Sequence, residues 1–197
     1  YTLAWLDVSS EPWMFSIPDM GDRYYIMPML DGFSEVFFVA SSSTTGSKPQ
    51  TYAITGPDWS GTLPEGIKEV KSQTAIVWIL GRIYSTGTAE DYEAVHALQD
   101  EFSLVPLSSY GKPYTPPPAS VDPDFDMKTS VRAQVNAMDI YQYFDYLAKL
   151  LQHNPPKPED AAMVARLAEI GLVPGQAFDP APLKSLDQTV LDTLAES

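Results

Sequence analysis

The chain of 197 residues contains no cysteine. Disulfides, thiolate catalysis and cysteine-ligated zinc or iron–sulfur sites are therefore excluded. The redox compartment stays open on this ground. Basic residues are scarce: 12 Lys plus Arg stand against 26 Asp plus Glu, a formal charge of −14. A nucleic-acid partner needs a basic patch against its phosphates, and an anionic membrane surface needs the same. Both are disfavoured. No apolar run reaches the roughly 20 residues of a membrane-spanning helix. The longest, Ala75 to Leu80, has the length of a strand. No Gly-rich strand-to-helix turn exists, so the phosphate loop and the dinucleotide fingerprint are missing. The Gly-x-Ser-x-Gly elbow of a serine hydrolase is missing too. What is present is a 44% hydrophobic fraction, too high for a disordered chain. A chain of this length buries roughly 70% of its unfolded surface, so a sizeable core is available.

Aromatics and prolines divide the chain. All four Trp (Trp5, Trp13, Trp59, Trp78) lie before residue 79, and twelve of the 18 Pro lie from Pro106 onward. The first part, 1–110, reads as a β-sandwich or barrel, because short β-rich runs alternate with turn signals. The runs are Tyr1 to Asp7, Trp13 to Ile17, Arg23 to Leu30, Glu35 to Ala40, Thr51 to Thr55, Lys68 to Lys71, Thr74 to Tyr84 and Ser103 to Leu107. Lys68 to Lys71, short and charged, suits an edge. Pro106 pushes the last run to an edge as well. Thr74 to Tyr84, apolar at successive positions, predicts a central strand buried on both faces. One helix interrupts this part. Thr88 is its N-cap, acidic residues occupy its first turn, and Tyr92, Val95, Leu98 and Phe102 form its apolar stripe.

A Pro-rich linker, 111–128, contains Pro116-Pro117-Pro118 and favours extended polyproline II. A helical domain, 129–197, follows, making the whole an α+β chain. Ser130 caps a predicted helix to about His153, with Ile140, Phe144, Leu147 and Leu151 on one face and Asn154-Pro155-Pro156 as its stop. Pro158-Glu-Asp160 opens a second, with Met163, Leu167 and Ile170 inward and Gly171 at its end. Asp179 and Pro180 open a third, where Leu183, Leu186, Val190 and Leu194 share a face. The chain starts at Tyr1 rather than Met and stops within this helical pattern, which is expected of a fragment or of a mature chain cut from something longer.

Chemical candidates are few. His96 lies mid-helix beside the apolar stripe and reads first as structural; His153 suits a helix C-terminus, where a cation meets the dipole favourably. The two are too far apart in sequence for a local metal motif. Asp122-Pro-Asp124-Phe-Asp126 begins with calcium-loop spacing but has Met127 and Ala133 where such a loop needs Gly and Glu, so it reads as an acidic turn. No metal is assigned, and the residues name no cofactor. Arg23 and Arg82 are more informative. Arg82 falls in the strand read as buried, where a charge demands a partner. That partner is Asp7, Asp31 or another carboxylate, or else the arginines clamp an anion at a pocket mouth. Asp7, Arg23, Tyr25, Asp31, Trp78, Arg82 and His96 make up the candidate pocket, with Trp5 and Tyr24 as further lining; the alternative is that these aromatics are sandwich core.

Several segments occur together in order. They are Tyr1-Thr-Leu-Ala-Trp-Leu-Asp7, Gly21-Asp-Arg-Tyr-Tyr25 with Leu30-Asp31, Thr44-Thr-Gly46, Gly56-Pro-Asp-Trp-Ser-Gly61, Val77-Trp-Ile-Leu-Gly-Arg82, Leu98-Gln-Asp100, Pro106-Leu-Ser108, Asn154-Pro-Pro156 and Ile170-Gly-Leu-Val-Pro-Gly175 with Phe178-Asp179. Over nearly the whole chain this resembles the family called domain of unknown function 1254, in bacterial proteins that also carry domain of unknown function 1214. The resemblance implies an immunoglobulin-like β-sandwich with one inserted helix, then a helical domain, then a jelly-roll-like domain. It also implies a periplasmic or secreted location, with a cytoplasmic one as the alternative. Relative to that pattern, chain ahead of Tyr1 and the C-terminal domain are missing.

Three functions compete. The first is a module that binds a small molecule or a partner domain. The second is an enzyme, with hydrolase as one option, whose site is shared with the missing domain; there Arg23 or Arg82 orients an anionic group and Asp7 or Asp31 is the base. The third is an assembly subunit, a homo-oligomer built through exposed helical faces.

Overall fold

The computed structural model describes residues 1–118 and 122–186. Eight strands form two sheets: β1 (Thr2–Asp7), β2 (Trp13–Ile17), β3 (Tyr25–Leu30), β4 (Val36–Ser41), β5 (Gln50–Thr55), β6 (Lys68–Lys71), β7 (Ile76–Ile83) and β8 (Ser103–Pro106). One sheet has the order β1-β7-β3-β4, the other β6-β5-β2-β8. Every pairing is antiparallel except β5 with β6. The fold is α+β, an immunoglobulin-like sandwich followed by helices. The chain divides into two compact units, Tyr1–Tyr114 and Thr115–Ser197.

Alternation builds the core. Phe15 and Ile17 of β2, Met27 and Met29 of β3, Ile54 of β5, Val70 of β6 and Val77 and Ile79 of β7 are buried between the sheets. Both strands expected at edges, β6 and β8, are edges. β7 is central, yet it is not buried on both faces as its composition suggests. Val77, Ile79 and Gly81 are buried, Trp78 and Leu80 are half-buried and Arg82 is exposed. The outward positions are apolar, which is why the sequence reads as continuous.

Close approach sets Gly81. A Cβ there would collide with Met27 Sδ and lie 2.7 Å from the Thr2 carbonyl oxygen. No larger residue lets β1 and the Met27 side chain close in at this point.

Helix α1 (Ala89–Glu101) starts where expected. The Thr88 hydroxyl accepts from Asp91 N at 3.2 Å, satisfying one orphan amide. Val95 is buried, Leu98 and Phe102 pack on the sandwich core, and Phe102 stacks on Phe15 at 6.0 Å. Tyr92, expected in this stripe, is exposed instead.

In the second unit, the single helix expected from Ser130 to His153 is two: α2 (Val131–Asn136) and α3 (Ile140–Leu151). The break has a local cause. Asp139 caps α3, accepting from Tyr141 N at 2.9 Å and Gln142 N at 2.8 Å, while the Gln142 side chain accepts from Asp139 N at 3.0 Å. This reciprocal box starts a new helix in mid-pattern. The apolar face of α3 holds as expected: Leu151 is buried with Ala148 and Leu172, and Phe144 and Leu147 pack beside them. A 3₁₀ turn, Pro158–Asp160, leads into α4 (Ala161–Glu169). Met163 there is exposed rather than inward. Gly171 follows at φ 89°, and a Cβ would collide with the Asp179 carbonyl. The third helix is short within the described residues, α5 (Ala181–Lys184), with Leu183 buried. Val190 and Leu194 lie outside the described residues.

Candidate functional site

The outer face of the β1-β7-β3-β4 sheet is where three of the seven candidate residues, Asp7, Trp78 and Arg82, meet exposed apolar surface. Residues directly opposite one another in neighbouring strands share a face. Trp5 pairs with Trp78, Trp78 with Leu30, and Leu30 with Val36, so one row of four large apolar residues crosses all four strands. Leu3 pairs with Leu80 in the neighbouring row, and Ile26 faces Arg82 beyond it. The Trp5 and Trp78 rings are parallel within 4°, with centroids 4.9 Å apart. Trp5, Leu3 and Val36 are 67%, 57% and 55% exposed. A sheet face turned to water normally carries polar residues, and an apolar one marks an interaction surface. The Trp78 indole N–H is buried and has no hydrogen-bond partner among the described residues.

The seven candidates separate into three groups. Asp7, Trp78 and Arg82 belong to this face. Asp7 is exposed and accepts from Ser9 N at 2.8 Å, while its carbonyl accepts from Trp13 Nε1 at 3.0 Å. Arg82 is exposed at the end of β7, its guanidinium 5.6 Å from the Tyr1 ring. The expectation that Arg82 is buried in this strand is therefore corrected: it projects from the outward side of a one-faced strand. Among the described residues it makes no ion pair.

Arg23, Tyr25 and Asp31 hold the fold. Arg23 donates to Asp91 Oδ1 at 2.6 Å and to the Tyr84 carbonyl at 2.8 Å. Asp91 also accepts from Thr86 N at 2.6 Å and the Ser85 hydroxyl at 2.9 Å. Arg23, then Thr86, then Ser85 hold the Asp91 carboxyl far below the ordinary carboxylate range. The cluster clasps the start of α1 to the end of β7. The buried Tyr25 hydroxyl donates to the Gly46 carbonyl at 2.7 Å and accepts from Gln50 Nε2 at 2.8 Å, closing the polar loop after β4. Burial raises its phenol pKa, against the lowering by the Thr45 and Gln50 hydrogen bonds. Asp31, buried at the β3–β4 turn, accepts from Phe33 N and Glu35 N, each at 2.9 Å. It is a turn-builder, with its Oδ1 already serving two amides.

His96 stands apart, exposed on α1. Tyr24 is exposed beside Arg23. The acidic turn also proves local: Asp122 accepts from Asp124 N, and Asp126 from Lys128 N and Thr129 N. No cluster of three or more potential metal-binding side chains occurs among the described residues. A cleft of 560 Å³ opens elsewhere, at the ends of β2, β5 and β6, where the Ser16 and Thr51 hydroxyls lie 3.0 Å apart. It contains none of the seven candidates. Sequence reasoning missed Asp91 as the Arg23 partner and the Leu3, Leu30 and Val36 part of the face. The i, i+2 recurrence of Leu3, Trp5 and Asp7 on an edge strand was the available signal for the latter.

A two-sheet sandwich with one inserted helix, followed by a helical unit and displaying an apolar outer face, is the class these features define. The chain belongs to the family described as "Protein of unknown function (DUF1254)", whose profile matches residues 1–106. That match covers the sandwich; the helical unit lies beyond it. Among solved structures, the chain is similar to the VPA0106 protein from Vibrio parahaemolyticus, at 27% identity and a TM-score of 0.71. The match takes in 98% of this chain and 45% of that one, so this chain spans under half of its length. No curated protein matches. Among the described residues no helix is long and apolar enough to cross a membrane.

Proposed function

We propose that this chain is an interaction module whose β1-β7-β3-β4 outer face docks a second domain of its own polypeptide. The row Trp5–Trp78–Leu30–Val36 carries the reading, because it places large apolar side chains across every strand of the outer face, with Trp5 and Val36 largely exposed at its two edges and Leu30 buried between them. The enclosed Trp78 N–H supports it, since it has no acceptor among the described residues and a buried donor left so costs about 1–3 kcal/mol. The length relation supports it as well: the similar Vibrio protein has most of its residues outside the match. The occupant is a domain of the kind called domain of unknown function 1214, jelly-roll-like, in an exported polypeptide. Asp7 and Arg82 sit on the same face and give such a domain polar contacts that fix its register.

The enzyme reading keeps only Asp7 and Arg82 as chemically available groups, because Arg23 and Asp31 are spent on the fold. The test is a Trp5→Asp change in the longer polypeptide. The expected result is that the two domains unfold in separate transitions where the parent unfolds in one, with the sandwich itself still folded. A single, unshifted transition overturns the proposal.

A further inference from the structure

Arg82 stands on the outer face without a counter-charge. Alternation along β7 turns it outward with Trp78 and Leu80. Ile26 lies directly opposite it on β3, and its guanidinium sits over the Tyr1 ring at 5.6 Å. A ring face attracts a guanidinium but offers its N–H groups no oxygen. Among the described residues Arg82 makes no ion pair. Asp7, the acid on the same face, pairs with Ile76, six positions back along β7. That is about 20 Å away, where salt screens the attraction. Arg23 shows the contrast. It is mostly covered, and it donates to the Asp91 carboxylate at 2.6 Å and to the Tyr84 carbonyl at 2.8 Å.

We propose that the domain docked on this face sets a carboxylate against Arg82, and that this ion pair fixes which way round the domain sits. The inference rests on the docking reading above and adds the partner's chemistry to it. Arg82 lies about 13 Å from Trp78 along β7. A standard interface of about 800 Å² a side is about 30 Å across, so one centred on the row of large apolar residues covers Arg82 as well. A guanidinium so covered loses its water, and a buried charge without a partner is strongly unfavourable. A carboxylate answers it with paired N–H···O bonds in the guanidinium plane. The charge balance selects the same group. A chain of charge −14 repels an acidic surface in general, and Arg82 gives it a place that attracts one. Asp7, at the other end of the face, repels a carboxylate. The two ends therefore differ in sign, which favours one orientation of the docked domain over its reverse.

Arg82→Lys in the longer polypeptide, followed by a carbodiimide, tests this. The reagent joins an ammonium to a carboxylate in contact with it, with loss of water. The expected product is a cross-link from position 82 to an Asp or Glu outside residues 1–197, located by mass spectrometry. Arg82→Glu raises oxidative labelling of Trp5 in the longer polypeptide at least about tenfold. The same change leaves thermal unfolding of the 197-residue chain unchanged, because Arg82 is exposed there. Exchanging the cross-linked acid for Lys in the Arg82→Glu background restores the protection of Trp5. No cross-link from position 82, a cross-link only within residues 1–197, or Trp5 protection that survives Arg82→Glu overturns the proposal and leaves the docking reading standing. Ready labelling of Trp5 in the unaltered longer polypeptide overturns both.

Discussion

The two faces of the β1-β7-β3-β4 sheet contain similar residues and have opposite fates. Inward, Met27, Met29, Val77 and Ile79 are fully enclosed. Outward, Leu3, Trp5, Leu80 and Val36 belong to the same hydrophobic class but stay partly or largely in water. Composition along a strand therefore does not say whether both sides are buried. It says that both sides are apolar, and one of them leaves Leu3, Trp5 and Val36 largely exposed among the described residues.

That contrast is sharpest on β7, where alternate residues belong to alternate faces. The largest effect is expected at Ile79→Ala. Removing a fully buried aliphatic side chain loses both transfer energy and packing, about 2–5 kcal/mol, read by urea denaturation. Gly81→Ala comes next. The added methyl meets Met27 Sδ and the Thr2 carbonyl, so a loss of about 1–3 kcal/mol is expected from the same measurement. A result near zero there would show that β1 shifts freely and that the edge is looser than described.

An acid titration addresses the Arg23–Asp91 clasp. Asp91 has a folded pKa depressed below its ordinary 3.8. Its contribution to stability is fully present above the unfolded value and is lost as pH falls through the folded one. Stability should therefore decline below about pH 4, and Asp91→Asn should flatten that decline while lowering stability at neutral pH. An acid limb unchanged by Asp91→Asn would contradict the clasp. The smallest effect belongs to the outer face: Trp5→Ala should move stability by less than about 1 kcal/mol, because its ring is mostly in solvent already.

The sandwich was largely legible from residues 1 to 110, because turn signals such as Gly21-Asp22 and Asp31-Gly32 bound its β-rich runs and Thr88 marks α1. The side of β7 that faces water was not legible. Trp78 and Leu80 read as core, since nothing local distinguishes a half-exposed apolar face from a buried one. Arg23 and Asp91 lie 68 residues apart, and only the fold brings them together. The α2–α3 break was written locally, in Asp139 and Gln142, but helical periodicity on both sides masked it. Met163 was misplaced for a related reason: a helix with apolar residues on more than one side does not announce which side is inner. The candidate pocket mixed fold-holding polar groups with face residues because both types are aromatic- or charge-rich on short strands.

The most direct measurement is oxidative footprinting of Trp5 and Leu3 in this chain and in the longer polypeptide proposed to contain it. The account predicts ready labelling of both residues in the 197-residue chain and strong protection in the longer one, with His96 labelled equally in each. Equal labelling of Trp5 and Leu3 in the two would contradict docking through the outer face.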